Sequence, residues 1–560
     1  MISRENPISR YNFDKKFMLK AVLLSFIIFI HCGLHSQSQG DYTIPRPKLI
    51  IGLVIDQMRW DYLYRFNELY GSDGFNRLLK QGFSCENTMV PYVPTYTAPG
   101  HSCIYTGSVP AIHGIVGNNW FDTRTGKNVY CTDDSLVRTV GSSTEWGRMS
   151  PRNLWTTTIT DELRFSNNFK SKVIGIALKD RASILPAGHS ANAAYWYDDK
   201  AGNWITSSYY MSDLPAWLTG LNSKHFPDEA MMKDWNTVLP VEKYSQSAGD
   251  DNSYEHSIQG ESSKTFPHRL SQISKDKYEA FKFTPASITY TFDLAKAAIQ
   301  NENLGKTDVP DFVAISISST DYIGHWFGPN SVEVEDTYLR LDRDIADFLK
   351  FLDDNVGKEN YLLFLTADHG VSHIPAFLTQ HKTPSGIFNE GKLSKEISVM
   401  LEKKFNIKNG VRMLENYQVY LNKGEIDKSG KSSRVNEEVI KLLLGESFIV
   451  QAFETQRISE ASLPEPIKRM TINGFNPKRS GDIQFTIKPA YFVGGDVGTT
   501  HGLWNPYDAH IPLIWFGWNV KQGRTNRETY MTDISPTIAA MLRIQMPNGC
   551  VGKVIEEAIR

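Results

Sequence analysis

Five continuous apolar runs constrain the fold of this 560-residue chain more than any other feature of its sequence. A short apolar run without polar alternation predicts a strand buried on both faces, which is typical of a parallel sheet. Helical patterns at 61–80, 287–301 and 332–355 lie between runs. This alternation predicts an α/β fold, with a mostly parallel central sheet and helices on both faces. The apolar runs lie at 48–55, 172–178, 312–317, 361–366 and 511–517.

Charged and imidazole side chains follow the carboxyl ends of these predicted strands, which is where parallel sheets bind ligands. An isolated Asp after a strand is usually a turn or a helix cap, and Lys179 with Arg181 alone would indicate a solvated turn. Because side chains alternate along a strand, these two cations are expected to point the same way. Several strand ends with such groups indicate a binding or catalytic site. The residues are Asp56, Lys179, Arg181, Asp321, His325, Asp368 and His369, with His501 in a late loop.

The acids and imidazoles form a set of potential metal ligands. Asp and His without nearby cysteine suit zinc that keeps open coordination positions, as in catalytic sites. Two metals roughly 3.5–4 Å apart can clamp the attacking and leaving oxygens of an in-line phosphoryl displacement. The first predicted ligand set is Asp321, His325 and His501, and the second is Asp56, Asp368 and His369.

The stretch 96–107 supplies a candidate nucleophile. Pro99 and Gly100 break the preceding pattern, and proline is tolerated in the first turn of a helix, so a helix is predicted to open near Pro99. Thr97 then lies beside a helix N-terminus, where free N–H groups favour an anion. Its hydroxyl suits a helix cap as well as a nucleophile. Bound to the second metal, it would ionise near neutral pH without a separate base.

The first 36 residues have the pattern of a secretory signal peptide. An apolar run at 21–30 follows three lysines and is too short to span a bilayer. We therefore expect a periplasmic or secreted protein with no membrane span. His31 before Cys32 fits a lipid-attachment site poorly, so no lipid anchor at Cys32 is expected.

The remaining chain is expected to form one catalytic domain over 45–560, with cap-like insertions at about 182–290 and 378–485, where the alternation of strands and helices is lost. The formal net charge is −2. The leader carries five basic and two acidic residues, so its removal would leave about −5, which gives no reason to expect a nucleic-acid partner. The cysteines outside the leader, whose pairing stays open, are Cys85, Cys103, Cys131 and Cys550.

Taken together, these residues resemble the alkaline phosphatase superfamily over essentially the whole chain after the leader. The resemblance implies a monoesterase for small phosphate esters, with two Zn²⁺ per chain and no third Mg²⁺ site, and we expect a monomer. Thr97 would form a phosphothreonine intermediate, which water activated at the Asp321 site would hydrolyse. The matching motifs lie at 95–101, 117–120, 178–181, 320–325, 367–370 and 500–502.

The resemblance also implies a set of substrate-binding residues. Asn118, Lys179 and Arg181 would bind the non-transferred phosphoryl oxygens, and Lys179 would take the place of the third, Mg²⁺, site of the better-known alkaline phosphatases. Cationic groups of this kind suit a monoester, which presents more unesterified oxygen charge than a diester. Four further histidines near the motifs are expected to support the ligands or the structure. They are His101, His113, His189 and His373.

Two other functions stay open. A nucleotide pyrophosphatase/phosphodiesterase of the same superfamily shares the metal ligands and the threonine nucleophile, but it would not need Lys179 and Arg181. An inactive secreted binding protein on this fold would be expected to lack a ligand or Thr97, and every expected residue is present. A sulfatase is not expected, because Thr97 cannot become formylglycine and no Cys-x-Pro-x-Arg motif occurs there.

Overall fold

A ten-stranded mixed sheet forms the centre of residues 47–560. The computed structural model describes residues 44–495 and 497–560, so the predicted leader and Cys32 lie outside the described residues. The strands of the sheet, in chain order, are β1 (Leu49–Ile55), β2 (Phe83–Cys85), β3 (Thr139–Val140), β4 (Val173–Ala177), β5 (Ala193–Asp198), β6 (Asn203–Ser207), β7 (Asp311–Ile317), β8 (Tyr361–Thr366), β9 (Leu513–Gly517) and β10 (Gly523–Thr525).

The spatial order of the strands is β10-β2-β9-β8-β1-β7-β4-β5-β6-β3. The five strands from β8 to β5 are parallel to their neighbours, whereas β9 and β6 run antiparallel to theirs. The register is direct, because Val54 of β1 pairs with Ser316 of β7 on one side and with Thr366 of β8 on the other. The predicted mostly parallel sheet is confirmed, and its central strands end at one edge.

Ten helices of eight or more residues occur in the described part of the chain. Every residue of β1, β7 and β8 is buried, as expected for strands that are covered on both faces. The helices are α1 (Thr97–Thr106), α2 (Ile159–Ser166), α3 (Asp180–Ala187), α4 (Ala286–Asn301), α5 (Ser319–Phe327), α6 (Val332–Asn355), α7 (Glu390–Phe405), α8 (Ser432–Leu444), α9 (Ile467–Gly474) and α10 (Ile534–Leu542).

The predicted helix over 61–80 is broken in the structure. It consists of Tyr62–Arg65, a short 3₁₀ turn and Phe75–Gln81. The carboxylate of Asp342 on α6 accepts hydrogen bonds from the backbone N–H groups of Gly71 and Phe75, both at 2.7 Å. This long-range cap stabilises a second helix start, so the chain turns where local propensity favoured one helix.

The stretch expected to be the first insertion, 182–290, differs from its prediction at its beginning. Strands β5 and β6 lie within it and extend the central sheet beyond β4. Their sequences, rich in Tyr, Trp and polar residues, do not form the apolar runs that identified the other strands. The irregular part starts only after β6 and contains short helices at Ala216–Asn222, Phe226–Met231 and Lys277–Phe281.

Residues within the second predicted insertion, 378–485, build most of a small antiparallel sheet of their own. Its four strands pack with α7 and α8 around a hydrophobic cluster distinct from that of the central sheet. The strands are Val411–Glu415, Gln418–Leu421, Ile449–Glu454 and Ile483–Ile487.

The four cysteines of the described chain are free thiols, three of them buried. Within the described residues, no helix combines the length and apolar character needed to cross a bilayer.

Candidate active site

Three aspartates lie together beyond the carboxyl ends of the central strands. Asp56 directly follows β1, Asp368 comes two residues after β8, and Asp321 lies in the first turn of α5, which follows β7. All three are at most 3% exposed. Because the strands are parallel and in register, the fold brings these acids to one place although more than 300 residues separate the first from the last.

The first predicted ligand set is brought together. Asp321 and His325 are one turn apart on α5, with Oδ1 of Asp321 lying 3.2 Å from Nε2 of His325. His501 comes from the late loop, and its Nε2 lies 3.6 Å from the same oxygen. The three side chains can direct their ligand atoms at one ion.

The second set differs in one member from its prediction. The compact group is Asp56, Asp321 and His369, so Asp321 takes part in both groups. Asp368 still adjoins the second group, with its Oδ2 lying 3.3 Å from Nε2 of His369. The sequence assigned one ligand role to each acid, whereas Asp321 has two oxygens and lies between the two histidine positions.

The three histidines share one orientation. The Nδ1 atom of each lies within hydrogen-bond distance of a backbone carbonyl, which can only accept, so Nδ1 carries a proton and a neutral ring presents its Nε2 lone pair to the acids. A lone pair that faces a carboxylate oxygen is repulsive unless a proton or a metal ion lies between them. The acceptors are Thr499 for His325 at 2.7 Å, Thr95 for His501 at 2.6 Å and Gly370 for His369 at 3.0 Å.

Protons alone do not relieve this crowding. Burial lowers the pKa of His369, and burial together with the charge of His369 lowers the pKa of His501. The rings of these two histidines stack with centroids 3.5 Å apart, so charging both is unfavourable. Burial and the charge of Asp368 raise the pKa of Asp56. Burial alone would lower the pKa of His325, but the charge of Asp321 raises it, so protons satisfy only part of the site and the remaining lone pairs suit a bound cation.

Two carboxylate oxygens lack a hydrogen-bond partner among the described residues, although both are buried. They are Oδ1 of Asp56 and Oδ2 of Asp368. Unpartnered buried carboxylate oxygens are costly, and they fit the positions of metal ligands. The donor set of imidazole nitrogens and carboxylate oxygens, without a thiolate, suits zinc in a site with open positions.

Thr97 is the first residue of α1, so the helix begins two residues before the predicted start at Pro99. Its hydroxyl is buried and lies 3.5 Å from Nε2 of His369. Asn118 caps the same helix end, because its Oδ1 accepts a hydrogen bond from the N–H of Ala98 at 3.0 Å. A hydroxyl nucleophile and an anion-binding helix terminus therefore adjoin the second acid group.

A glycine lets α1 approach the acids. A Cβ atom on Gly100 would lie 2.7 Å from the backbone oxygen of Asp368 and equally close to its Cβ. Any larger residue would force α1, and Thr97 with it, away from the metal ligands.

Lys179 and Arg181 reach the site by a different geometry from the predicted one. Strand β4 ends at Ala177, so Lys179 is the residue before α3 and Arg181 lies in its first turn, and strand alternation does not apply. Lys179 Nζ lies 2.8 Å from Oδ2 of Asp56 and 2.5 Å from Oδ2 of Asp321. Burial favours its neutral form, but the charges of Asp321 and Asp56 raise the pKa of Lys179.

Arg181 is held by its Nη1, which donates to the hydroxyl of Tyr130 at 3.1 Å. Its Nε is buried without a partner among the described residues. The two cations share Tyr322 as a neighbour, since Lys179 Nζ lies 5.1 Å from that ring and Tyr322 also acts electrostatically on Arg181.

Gln57 is a site residue that the sequence reasoning missed. Its backbone N–H donates to Oδ1 of Asp368 at 3.1 Å, and its side-chain Nε2 donates to Oδ1 of Asp321 at 2.7 Å. It adopts a φ of +67°, which is strained for a residue with a side chain. Its position directly after Asp56 was the only available signal.

Of the four additional histidines, only His101 contacts the site. Its Nδ1 lies 2.9 Å from the carbonyl of Thr97 and 3.4 Å from Oδ2 of Asp368, and its Nε2 lies 2.9 Å from the hydroxyl of Ser316. His101 therefore supports both the nucleophile Thr97 and the candidate metal ligand Asp368. The others have different partners: Cys103 for His113, Asp161 for His189, and Arg59 and Asn330 for His373.

The comparisons with known proteins agree on one family. The family described as type I phosphodiesterase / nucleotide pyrophosphatase matches residues 50–510. Alkaline phosphatase PafA of Elizabethkingia meningoseptica is 49% identical over 93% of this chain and 96% of that protein. The crystal structure of wild-type PafA superposes with a TM-score of 0.91 at 48% identity, covering 92% of this chain and 100% of that one.

Two further relatives carry different names. Alkaline phosphatase PhoV of Synechococcus elongatus is 47% identical over 92% of this chain and 94% of that protein. A protein of Myroides odoratus named calcium-transporting ATPase is 52% identical over 92% of this chain and 95% of that protein. The family match and these near full-length similarities place the chain in the type I phosphodiesterase / nucleotide pyrophosphatase family, within the alkaline phosphatase superfamily.

Proposed function

We propose that this protein is a periplasmic or secreted alkaline phosphatase, which hydrolyses small phosphate monoesters through a phosphothreonine intermediate at a two-zinc site. The observation that carries the proposal is the position of Thr97, whose buried hydroxyl adjoins His369 at the N-terminus of α1. The similarity to PafA and PhoV over most of the chain supports the same reaction class.

The two acid–histidine groups are the proposed zinc ligands. Asp321, His325 and His501 would hold one ion. Asp56, Asp368 and His369 would hold the other together with Thr97, and Asp321 lies close enough to contribute. When bound, the ions supply Lewis acidity that lowers the pKa of the attacking hydroxyl groups and neutralises charge on the leaving oxygen.

The chain's own residues orient the phosphoryl group. The hydroxyl of Thr97 loses its proton and attacks phosphorus, the bond from phosphorus to the ester oxygen breaks, and the alcohol leaves with a proton. Water then attacks the phosphorus of the phosphothreonine, which releases inorganic phosphate and restores the hydroxyl. Asn118, Lys179 and Arg181 bind the oxygens that are not transferred. Arg181 has a buried Nε without a partner among the described residues, and the side-chain oxygen of Asn118 accepts from the N–H of Ala98 at the start of α1. Such donors act most strongly in a site that excludes water.

Lys179 takes the place of a third metal in this proposal. Its ammonium group bridges Asp56 and Asp321, the position where an additional cation would otherwise neutralise those acids. We accordingly propose two zinc ions per chain and no Mg²⁺ site.

Further proposals concern the location and the assembly of the enzyme. We propose that residues 1–36 direct export and that the protein acts as a monomer without a lipid anchor. The described surface segments at 208–285 and 378–485 would border the leaving-group side as caps. Fractionation of cells and light scattering of the purified protein test the location and the oligomeric state.

The second candidate is a nucleotide pyrophosphatase/phosphodiesterase, which the name of the matching family favours. The two reactions differ in how much they need cationic groups, because a monoester dianion carries an additional charged oxygen where a diester carries a substituent. Lys179 and Arg181 therefore separate the two candidates.

The test compares a phosphate monoester and a phosphodiester with the same leaving group, with zinc present. We expect a strong monoester preference in wild type. In a Lys179→Ala/Arg181→Ala variant, the monoester kcat/KM should fall by about 10²–10³, and the diester value by much less. Lys282→Ala is a matched control, because Lys282 lies 5.1 Å from the same Tyr322 ring but pairs with Asp199. Thr97→Ala should abolish both reactions.

Two outcomes would overturn the proposal. A diester preference that is insensitive to the loss of both cations would establish the phosphodiesterase. A wild-type protein that binds zinc but turns over neither ester would establish the inactive binding protein.

A further inference from the structure

A tight turn of the small antiparallel sheet reaches the segment that carries Asn118. The turn joins the strands Val411–Glu415 and Gln418–Leu421, and its two central residues are Asn416 and Tyr417, with φ values of +59° and +58°. Positive φ at both central residues is the requirement of a common hairpin turn, and Asn tolerates it better than most residues. Both residues are at most 3% exposed, whereas turns normally face solvent. The turn is therefore packed against another part of the chain.

Asn119 is the residue that the turn holds. Nδ2 of Asn416 donates to the backbone carbonyl of Asn119 at 2.9 Å, and Nδ2 of Asn119 donates to Oε1 of Glu415 at 3.3 Å. Because a carbonyl can only accept, the first contact fixes which way the Asn416 amide points. The two hydrogen bonds run in opposite directions, so they hold both the backbone and the side chain of Asn119.

The amide of Asn416 also lies against Gly117. A Cβ atom on Gly117 would lie 2.7 Å from Nδ2 and 2.9 Å from Oδ1 of Asn416. The absence of a side chain at this position thus leaves the space that the Asn416 amide fills. The amide contacts the residues on both sides of Asn118.

Asn118 links this segment to the nucleophile. It is one of the proposed ligands of the phosphoryl oxygens, and its Oδ1 accepts the hydrogen bond from the N–H of Ala98, the residue after Thr97. A shift of the backbone at 117–119 would therefore move Asn118 relative to Thr97. Small displacements of groups that orient a substrate cost large factors in rate.

The turn is itself anchored in the small sheet. The ring of Tyr417 lies 6.1 Å from that of Phe485 and 6.4 Å from that of Phe388, measured between centroids. All three belong to the hydrophobic cluster that is separate from the core of the central sheet. Since Tyr417 directly follows Asn416, the amide that contacts Asn119 rests on a packed support.

We propose that Asn416 is a positioning residue for phosphate binding, which it serves by holding the 117–119 segment and with it Asn118. This inference rests on the proposed function, because it takes Asn118 as a ligand of the phosphoryl oxygens. It gives the stretch 378–485 a role beyond that of a cap, since the turn of its small sheet supports the phosphate site from behind.

The stability of the fold gives Asn416 less weight than the site does. Its Oδ1 is buried without a hydrogen-bond partner among the described residues, and an unsatisfied amide oxygen offsets part of what the bond to Asn119 contributes. Replacing Asn416 should therefore lower activity more than it lowers the melting temperature.

The test is a double-mutant cycle on the full zinc-loaded protein. Asn416→Gly removes the amide, and glycine adopts the positive φ without strain. We expect the monoester kcat/KM to fall about 5–10-fold and the Kd of inorganic phosphate, measured by calorimetry, to rise by a similar factor. In an Asn118→Ala background, the same substitution should change both quantities by less than about 2-fold, because the group that it positions is absent.

Two further variants separate positioning from folding. Asn422→Ala is the matched control, because Asn422 is 5% exposed in the same stretch and its Nδ2 donates to the carbonyl of Asn409 at 2.9 Å. It should lower the melting temperature and leave kcat/KM and the phosphate Kd close to wild type. Gly117→Ala displaces the Asn416 amide from the opposite side, so it should reproduce the losses of Asn416→Gly if that variant is unstable.

Three outcomes would overturn the positioning role. They are unchanged phosphate affinity in Asn416→Gly, a loss that persists in full in the Asn118→Ala background, and an equal loss in Asn422→Ala. Failure of the proposed function has a different signature, since wild type would then hydrolyse no monoester. The calorimetric cycle with inorganic phosphate does not depend on turnover, so it distinguishes the two failures.

Discussion

Two buried regions of this protein use the same residue types and differ in how completely they are satisfied. In the first turn of α2, Asp161 accepts hydrogen bonds on both oxygens: Oδ1 from the N–H and hydroxyl of Ser190, and Oδ2 from the N–H and hydroxyl of Thr158. His189 lies 3.2 Å from Oδ2, and its other nitrogen faces the carbonyl of Leu154 at 3.0 Å. One acid and one imidazole here form a closed network.

At the carboxyl edge of the sheet, three acids and three imidazoles form a network that is left incomplete. Carboxylate oxygens of Asp56 and Asp368 lack hydrogen-bond partners among the described residues. The rings of His369 and His501 stack, and burial disfavours their charged forms. Buried Asp and His therefore do not by themselves indicate a metal site. A metal site is indicated where the lone pairs of several such side chains face one another without hydrogen-bond donors between them.

The largest effect should come from the acid shared by both groups. Asp321→Asn removes one negative charge from both proposed metal positions and from Lys179. We expect the monoester kcat/KM to fall at least about 100-fold, with loss of bound zinc. The corresponding change in the closed network, Asp161→Asn, should leave zinc content and kcat/KM close to wild type. Equal losses in both variants would contradict the distinction between the two regions.

A smaller effect is expected behind the metal ligands. His101→Gln removes a ring that contacts the Thr97 carbonyl, Asp368 and Ser316. Because groups that orient ligands contribute about 10–100-fold to activity or metal affinity, kcat/KM should fall about 10-fold and zinc affinity should decrease. His113→Gln, at a buried histidine that bonds Cys103, is the control for folding. Unchanged zinc affinity with a melting temperature lowered as in His113→Gln would show a purely structural role.

The smallest effect on activity, with a change in stability alone, should arise in the closed network. Burial alone would raise the pKa of Asp161, but the hydrogen bonds from His189 and Ser190 lower that pKa to about 2, from 3.8. This shift is worth about 2 kcal/mol of folding free energy, present above pH 3.8 and lost as the pH falls towards 2. Burial alone would lower the pKa of His189, but the hydrogen bond to Asp161 raises it. The stabilisation that His189 contributes is fully present below pH 6.5 and is lost as the pH rises past its raised pKa.

Urea unfolding of wild type and Asp161→Asn measures this difference. The gap in unfolding free energy should be greatest near pH 6 and shrink on either side, below pH 4 and at alkaline pH. A gap that does not change with pH would mean that the hydrogen bonds of Asp161 stabilise α2 without an ionic contribution.

The parallel sheet and the acids at its edge could be predicted because buried strands leave a continuous apolar run and parallel strands end together. The edge strands β5 and β6 could not, since Trp, Tyr and polar residues replace that run. The sharing of Asp321 depends on which way its two oxygens point. The contacts of Gln57 depend on a strained φ, and those of His101 join residues up to 267 positions apart, which no local pattern encodes.

Zinc content, measured by elemental analysis alongside monoester hydrolysis during removal and return of the metal, tests the central claim most directly. We expect two zinc ions per chain, one for each acid–histidine group, with activity lost on removal and restored as zinc returns. Full monoester hydrolysis by a protein that holds less than one zinc per chain would contradict it.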